Sequence, residues 1–188
     1  MHGHPPGAGG ALFTRLSPYE PWEHVLRRAI PDLDLADHPY DQVRAERLWR
    51  AEDWLLLEEY TSRRLGEDNC AVVQSVGSSG DGGVDVVAKS PGRHVIAVQC
   101  KHYNQPIDAT TMKVFHYDTT AGWEDTKVWR ETFTEPPRHR LFVTTNTFEP
   151  TATRAAQRAG IHLVDATILA VWMGFKVPLN QLLGIERW

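Results

Sequence analysis

The chain has 188 residues, of which 41% are hydrophobic and 23% charged, and this suits one globular domain with a sizeable core and a short appended segment. No apolar run reaches the roughly 18 to 20 residues that cross a bilayer, and two cysteines, Cys70 and Cys100, are too few for a disulfide framework or a paired-CxxC zinc site; no membrane role and a reducing cytoplasm are therefore expected. The net charge of −4 argues against a nucleic-acid partner, yet residues 1–60 carry 11 acids against 6 bases while residues 86–163 carry 10 bases against 7 acids, so the second half permits phosphate binding.

The opening MHGHPPGAGG lacks the charged-then-apolar order of a secretory signal and reads as a flexible tail. Residues 18–30 suit a short helix stopped by Pro31. Residues 1–39 are thus expected to be a tail plus a short helix. From about 40 to 65, DQVRAERLWRAEDWLLLEEYTSRRL contains no Gly or Pro and predicts a long helix. Leu48, Trp54, Leu55 and Leu56 are expected to form its inward stripe, with Gly66 as its cap.

The pattern then changes to strands. CAVVQSV (70–76), VDVVAKS (84–90) and HVIAVQCKHY (94–103) are joined by SSGDGG (78–83) and a turn at Pro91 and Gly92, which predicts an antiparallel meander. A helix is expected within 108–122. LFVTT (141–145) reads as a buried strand, EPTATRAAQRAG (149–160) as a helix with Pro150 at its start and Gly160 past its end, IHLVDA (161–166) as a strand and TILAVWMGF as a last helix. Strand, helix, strand implies a parallel pair at the sheet's end. The fold class is therefore α/β, a mixed central sheet flanked by helices, over residues 40–175 with a C-terminal extension at 176–188.

The chemistry-bearing residues lie on the two central strands. Alternation puts Asp85 opposite Val84, Val86 and Ala88, and puts Gln99 and Lys101 together on one face with Cys100 buried between them. A carboxylate, an amide oxygen and an ammonium would then meet at one end of the hairpin. Phosphodiester hydrolysis can use such a group. Magnesium takes hard oxygen ligands and keeps several waters, so Asp85, the Gln99 oxygen and the Cys100 carbonyl would suffice as metal ligands. Lys101 would orient the attacking water and stabilise developing charge. A helix acid, Glu59 or Glu58, would add a second carboxylate.

GSSGDGGVDVVAK followed by VQCKHY resembles the Mrr-like branch of type IV restriction endonucleases, within the PD-(D/E)XK nuclease superfamily. LFVTTNTFEPTATRAA and IHLVDATILA are similar to that family's later strands and helices, so the resemblance spans roughly residues 50–172. It implies a restriction-endonuclease-like fold and a metal-dependent DNA endonuclease that uses Mg2+, with Mn2+ as a substitute, in restriction or phage defence. It also implies Asp85 and Gln99 as metal ligands and Lys101 as the catalytic lysine. The family's helix glutamate usually sits in a Phe-Glu pair, which this sequence lacks. Glu59 has the most suitable separation from Asp85, Glu58 comes second and Glu52 third.

Other assignments are weighed beside these. Asp81 reads as a turn former. His102 and His94 flank the expected site and are candidates for phosphate contact. Thr144 and Thr145 suit capping or backbone satisfaction, with Thr145 a candidate substrate contact. Trp123 and Trp129 are candidates for base stacking, although most tryptophans are expected in the core. A junction-resolvase type of repair nuclease, or a catalytically silent DNA-binding module, are the alternative functions. No helix-turn-helix is evident, so target choice is expected to come from a partner protein, a homodimer or the loop at 122–138.

Overall fold

The computed structural model describes residues 54–75, 83–123, 135–186 and 188. The short helix expected at 18–30, the first part of the long helix with Leu48 and Glu52, Asp81 and Trp129 lie outside the described residues.

Five strands form one sheet in chain order: β1 (Ala71–Ser75), β2 (Val86–Lys89), β3 (Val95–Lys101), β4 (His139–Thr144) and β5 (Ile161–Val164). The first three pair antiparallel as the expected meander, while β3–β4 and β4–β5 are parallel. Parallel neighbours require crossovers. Helix α2 (Ala109–Asp118) precedes β4 and helix α3 (Pro150–Ala159) precedes β5. Helix α1 (Trp54–Glu67) lies before β1, and α4 (Ala166–Phe175) and α5 (Leu179–Leu182) close the described chain.

Both faces of the sheet are covered, which explains why β3 is apolar almost throughout. On one face, Val86, Ala88, Ile96, Val98 and Cys100 pack with Leu57 and Leu65 of α1 and Trp172 of α4. On the other, Val87, Ala97 and Phe142 pack with Met112 and Phe115 of α2 and Ala152 and Ala156 of α3. Alternation thus sorts Val86 and Ala88 from Val87 as expected. Val84 departs from it: it joins the second core with Val87, because the regular strand begins only at Val86.

Local chemistry explains the helix ends. Asp108 caps α2 by accepting from Thr111 N at 2.8 Å, and Asp165 caps α4 by accepting from Thr167 N and Ile168 N. Pro150 opens α3 and Gly160, at φ 65°, closes it. The cap of α1 is Asn69 rather than Gly66. Asn69 takes the left-handed conformation at φ 64°, its N–H reaches Gly66 O, and Cys70 N–H reaches Leu65 O. That pair of bonds is a Schellman ending with asparagine in the position usually held by glycine. The inward stripe also differs from expectation: Leu57 and Leu65 are buried and Leu56 is exposed.

The far end of α1 is tied down by buried charge. Arg64 Nη2 donates to Asp68 Oδ1 at 3.0 Å, and Asp68 Oδ2 accepts from Trp172 Nε1 at 2.8 Å and Leu179 N at 2.9 Å. Burial raises the Asp68 carboxyl, while the Leu179 amide, Arg64 and Trp172 oppose the rise. Nothing in the sequence pattern pointed to this cluster, which joins Asp68 to Trp172 and Leu179 across more than a hundred residues.

Candidate functional site

The strand register ends where the chemistry begins. The last regular β2–β3 pair is Val86 with Val98. Beyond it, Asp85 N–H donates to Val98 O at 2.8 Å, and the Asp85 carboxylate accepts from Cys100 N–H at 2.6 Å. The carboxylate therefore stands where a backbone carbonyl would have continued the ladder. A charged acceptor at this distance is a strong hydrogen bond, and it fixes the orientation of Asp85.

Cys100 marks where the surrounding charges converge. Its thiol is fully enclosed and approaches Thr61 Oγ1 of α1 at 3.7 Å. Burial pushes the thiol well up; Asp85 adds to the rise and Glu58 adds less, while the Thr61 contact and Lys101 oppose it. Asp85, just before β2, and Glu58 of α1 thus both raise the same thiol. Glu58 is 3% exposed and Glu59 is exposed, so the helix acid turned inward is Glu58. The spacing of Glu58, Thr61 and Leu65 along one helix face carried this signal.

Gln99 lies on the other side of the sheet from Cys100 and is 6% exposed. Its amide is overlain by Gly83, which adopts φ 72°. A Cβ on Gly83 would come within 2.8 Å of Gln99 Nε2 and 3.3 Å of Asp118 Oδ2. The turn before Asp85 thus needs glycine twice over, for its left-handed backbone and for its contact with Gln99. Asp118, at the end of α2, is partly buried, which raises its carboxyl. The sequence reading did not single it out.

Lys101 ends β3 half-buried, paired in register with Thr144 of β4. Just beyond the two strand ends, Thr145 Oγ1 meets His102 Nδ1 at 2.7 Å. Thr144 Oγ1 accepts from Asn146 N, the backbone role expected of it, and Asn146 Nδ2 donates to Tyr103 O. His94 does not flank this site. It precedes the opposite end of β3, with its ring edge-on to His139 at 5.8 Å. Trp123 is half-buried against the second core rather than offered to solvent for stacking.

Among the described residues, no three His, Cys, Asp or Glu side chains form a ready-made metal cage. The oxygen donors at this end are the Asp85 carboxylate, held by Cys100 N–H, the Glu58 carboxylate, which acts on the same Cys100, and the backbone carbonyl and Gln99 amide that β3 carries there. Such a set fits a small hard cation that keeps much of its water, and suits a soft thiolate-bound metal poorly.

The chain matches one family model and is similar to several solved structures. A family model described as restriction endonuclease, Mrr_cat, matches residues 49–173. No curated protein matches the chain. Among solved structures, the chain is similar to a protein of unknown function, AF1548, at 21% identity and a TM-score of 0.45, covering 70% of this chain and 66% of that one. It is also similar to the DNA modification-dependent restriction endonuclease AspBHI at 14% identity and a TM-score of 0.48, covering 76% of this chain and 37% of the other. MspJI restriction endonuclease, solved with a 27-mer oligonucleotide, gives 15% identity, a TM-score of 0.42 and coverage of 78% and 37%. The chain thus spans just under two thirds of the first of these proteins and little more than a third of the other two. With the Mrr_cat model extending from α1 almost to the end of α4, the chain belongs to the Mrr-type family of restriction endonucleases.

Proposed function

We propose that the chain is a Mg2+-dependent DNA endonuclease, with Mn2+ able to substitute, acting in restriction or antiviral defence. The observation that carries this reading is the Asp85 carboxylate held at 2.6 Å by the N–H of Cys100, the residue just before Lys101, in a chain of a restriction-endonuclease family. Asp85, the Cys100 carbonyl and the Gln99 amide oxygen are proposed to hold the cation. Glu58 replaces Glu59 as the proposed helix carboxylate, because Glu59 faces solvent. When bound, the cation would polarise the scissile phosphate and lower the pKa of a water.

The chain's own groups have separate tasks. The bond from Cys100 N–H holds Asp85 in one orientation. Lys101 orients the attacking water and donates to the phosphate oxygens as negative charge builds. His102, braced through Nδ1 by Thr145, presents Nε2 for a phosphate contact. Both cysteines are free and buried, which supports work in a reducing compartment such as the cytoplasm. Among the described residues no helix is long and apolar enough to cross a membrane. DNA is the proposed partner, with target choice supplied by a second copy or another protein.

The test is cleavage of supercoiled plasmid in Mg2+ or Mn2+. Wild type is expected to nick or linearise it, and Glu58→Gln to lose about a hundredfold in rate while Glu59→Gln stays within about twofold. Equal rates for the two glutamate variants would remove Glu58 from the site. No cutting by wild type under either metal would remove the nuclease reading.

A further inference from the structure

We infer that Asp118 is a positioning residue for Gln99, an inference that rests on the nuclease reading above. The amide nitrogen of Gln99 and a carboxylate oxygen of Asp118 approach the same point above the Gly83 Cα, at 2.8 and 3.3 Å. An amide N–H2 and a carboxylate are complementary, and the link we infer between them is one bridging water. A side-chain amide has two chemically different ends. Drawing its nitrogen towards Asp118 turns its oxygen away from α2, so that it is offered as an acceptor on the side of Asp85 and Lys101. Without such a partner the amide can flip and present N–H to a cation, which repels it.

The restraint is needed here because the proposed ligand is an amide and not a carboxylate. A carboxylate offers oxygen in either orientation, whereas glutamine offers it in only one. Asp118 arrives from the last residue of α2, and that helix end is anchored: Thr119 N–H and Oγ1 both bond Phe115 O, and Phe115 is fully buried beside Phe142. The carboxylate is therefore carried on a rigid element. Gly83 completes the arrangement, since any side chain there would wedge the two apart.

The experiment uses the full chain with Mn2+ as the probe. Mn2+ affinity is titrated by electron paramagnetic resonance, the Gln99 side-chain amide is followed in 1H–15N spectra, and plasmid cleavage is measured alongside. Asp118→Ala is expected to weaken Mn2+ binding at least about tenfold, the loss typical of removing a partner that orients a metal ligand. It should also move the Gln99 amide resonances and lower kcat more than it raises KM. Asp118→Asn, which keeps an acceptor oxygen, is expected to recover most of both. A merely structural Asp118 would lower the melting temperature and leave Mn2+ affinity and the Gln99 signal unchanged, and that result overturns the inference while the nuclease reading stands. A wild type that neither binds Mn2+ nor cuts DNA overturns both.

Discussion

The two ends of the sheet place similar residues in opposite surroundings. At the end where β3, β4 and β5 begin, His139 lies between the rings of His94, His162 and Trp188, at 5.8, 6.2 and 5.5 Å. Burial lowers His139 and His162 to about 4, each reinforced by neighbouring positive groups. These imidazoles are neutral packing material. At the end where the same strands finish, His102 is half-exposed and held by a hydroxyl, next to a lysine. Helix α1 spans both ends, with Glu58 near one and the enclosed Arg64–Asp68 pair at the other. The contrast teaches that a residue's surroundings follow its place on the sheet, and the proposed site lies at the carboxyl ends of the parallel strands β3 and β4.

The strongest way to break the contrast is to remove charge at the reacting end. Lys101→Ala is expected to lower plasmid-cleavage kcat on the order of a thousandfold with little change in melting temperature. Asp85→Ala should match it in activity. A variant of either residue that still cuts at near wild-type rate would sink the site assignment. At the opposite end Asp68→Ala leaves Arg64 with Glu67 alone and strips Trp172 Nε1 and Leu179 N of their acceptor, and urea denaturation should show a loss of about 3 kcal/mol with unchanged rate per folded molecule.

Acid sharpens the same distinction. His139 and His162 resist protonation in the folded chain, whereas the unfolded chain takes up protons below about 6.5. Their contribution to stability is therefore complete above pH 6.5 and declines as pH falls towards 4. Urea midpoints across that window should register a loss on the order of 2 kcal/mol, and His162→Gln should flatten the profile. The smallest expected effect is at His102. His102→Ala should raise KM for DNA about fivefold, near the value of one hydrogen bond, with kcat almost unchanged.

Much of this division was legible in the sequence, for physical reasons. The meander, the parallel crossovers and the Gln99–Lys101 face follow from period-two patterning and turn residues, both local signals. The helix phase was harder. LLLEEY offers three adjacent leucines and two adjacent glutamates, and only the packing of Leu57, Thr61 and Leu65 against β3 decides which of them turn inward. Asn69 ends α1 because asparagine tolerates the left-handed conformation, so the nearer Gly66 drew attention that its backbone does not warrant. Strict alternation misplaced Val84 because the ladder stops at Val86. Asp68 was invisible for a different reason, since Trp172 and Leu179, which bond it, are distant in the chain and no spacing rule joins them to it.

The bond from Cys100 N–H to Asp85 has a consequence for how this domain can decay. The carboxylate proposed for chemistry is also a rung of the β2–β3 ladder. A lineage that lost selection for cutting could discard Lys101 at little structural expense, but discarding Asp85 would strip an enclosed amide of its acceptor. Inactive descendants of such a domain should therefore retain the aspartate and shed the lysine first. Within this architecture, a surviving aspartate testifies to folding, and the lysine is the better witness to activity.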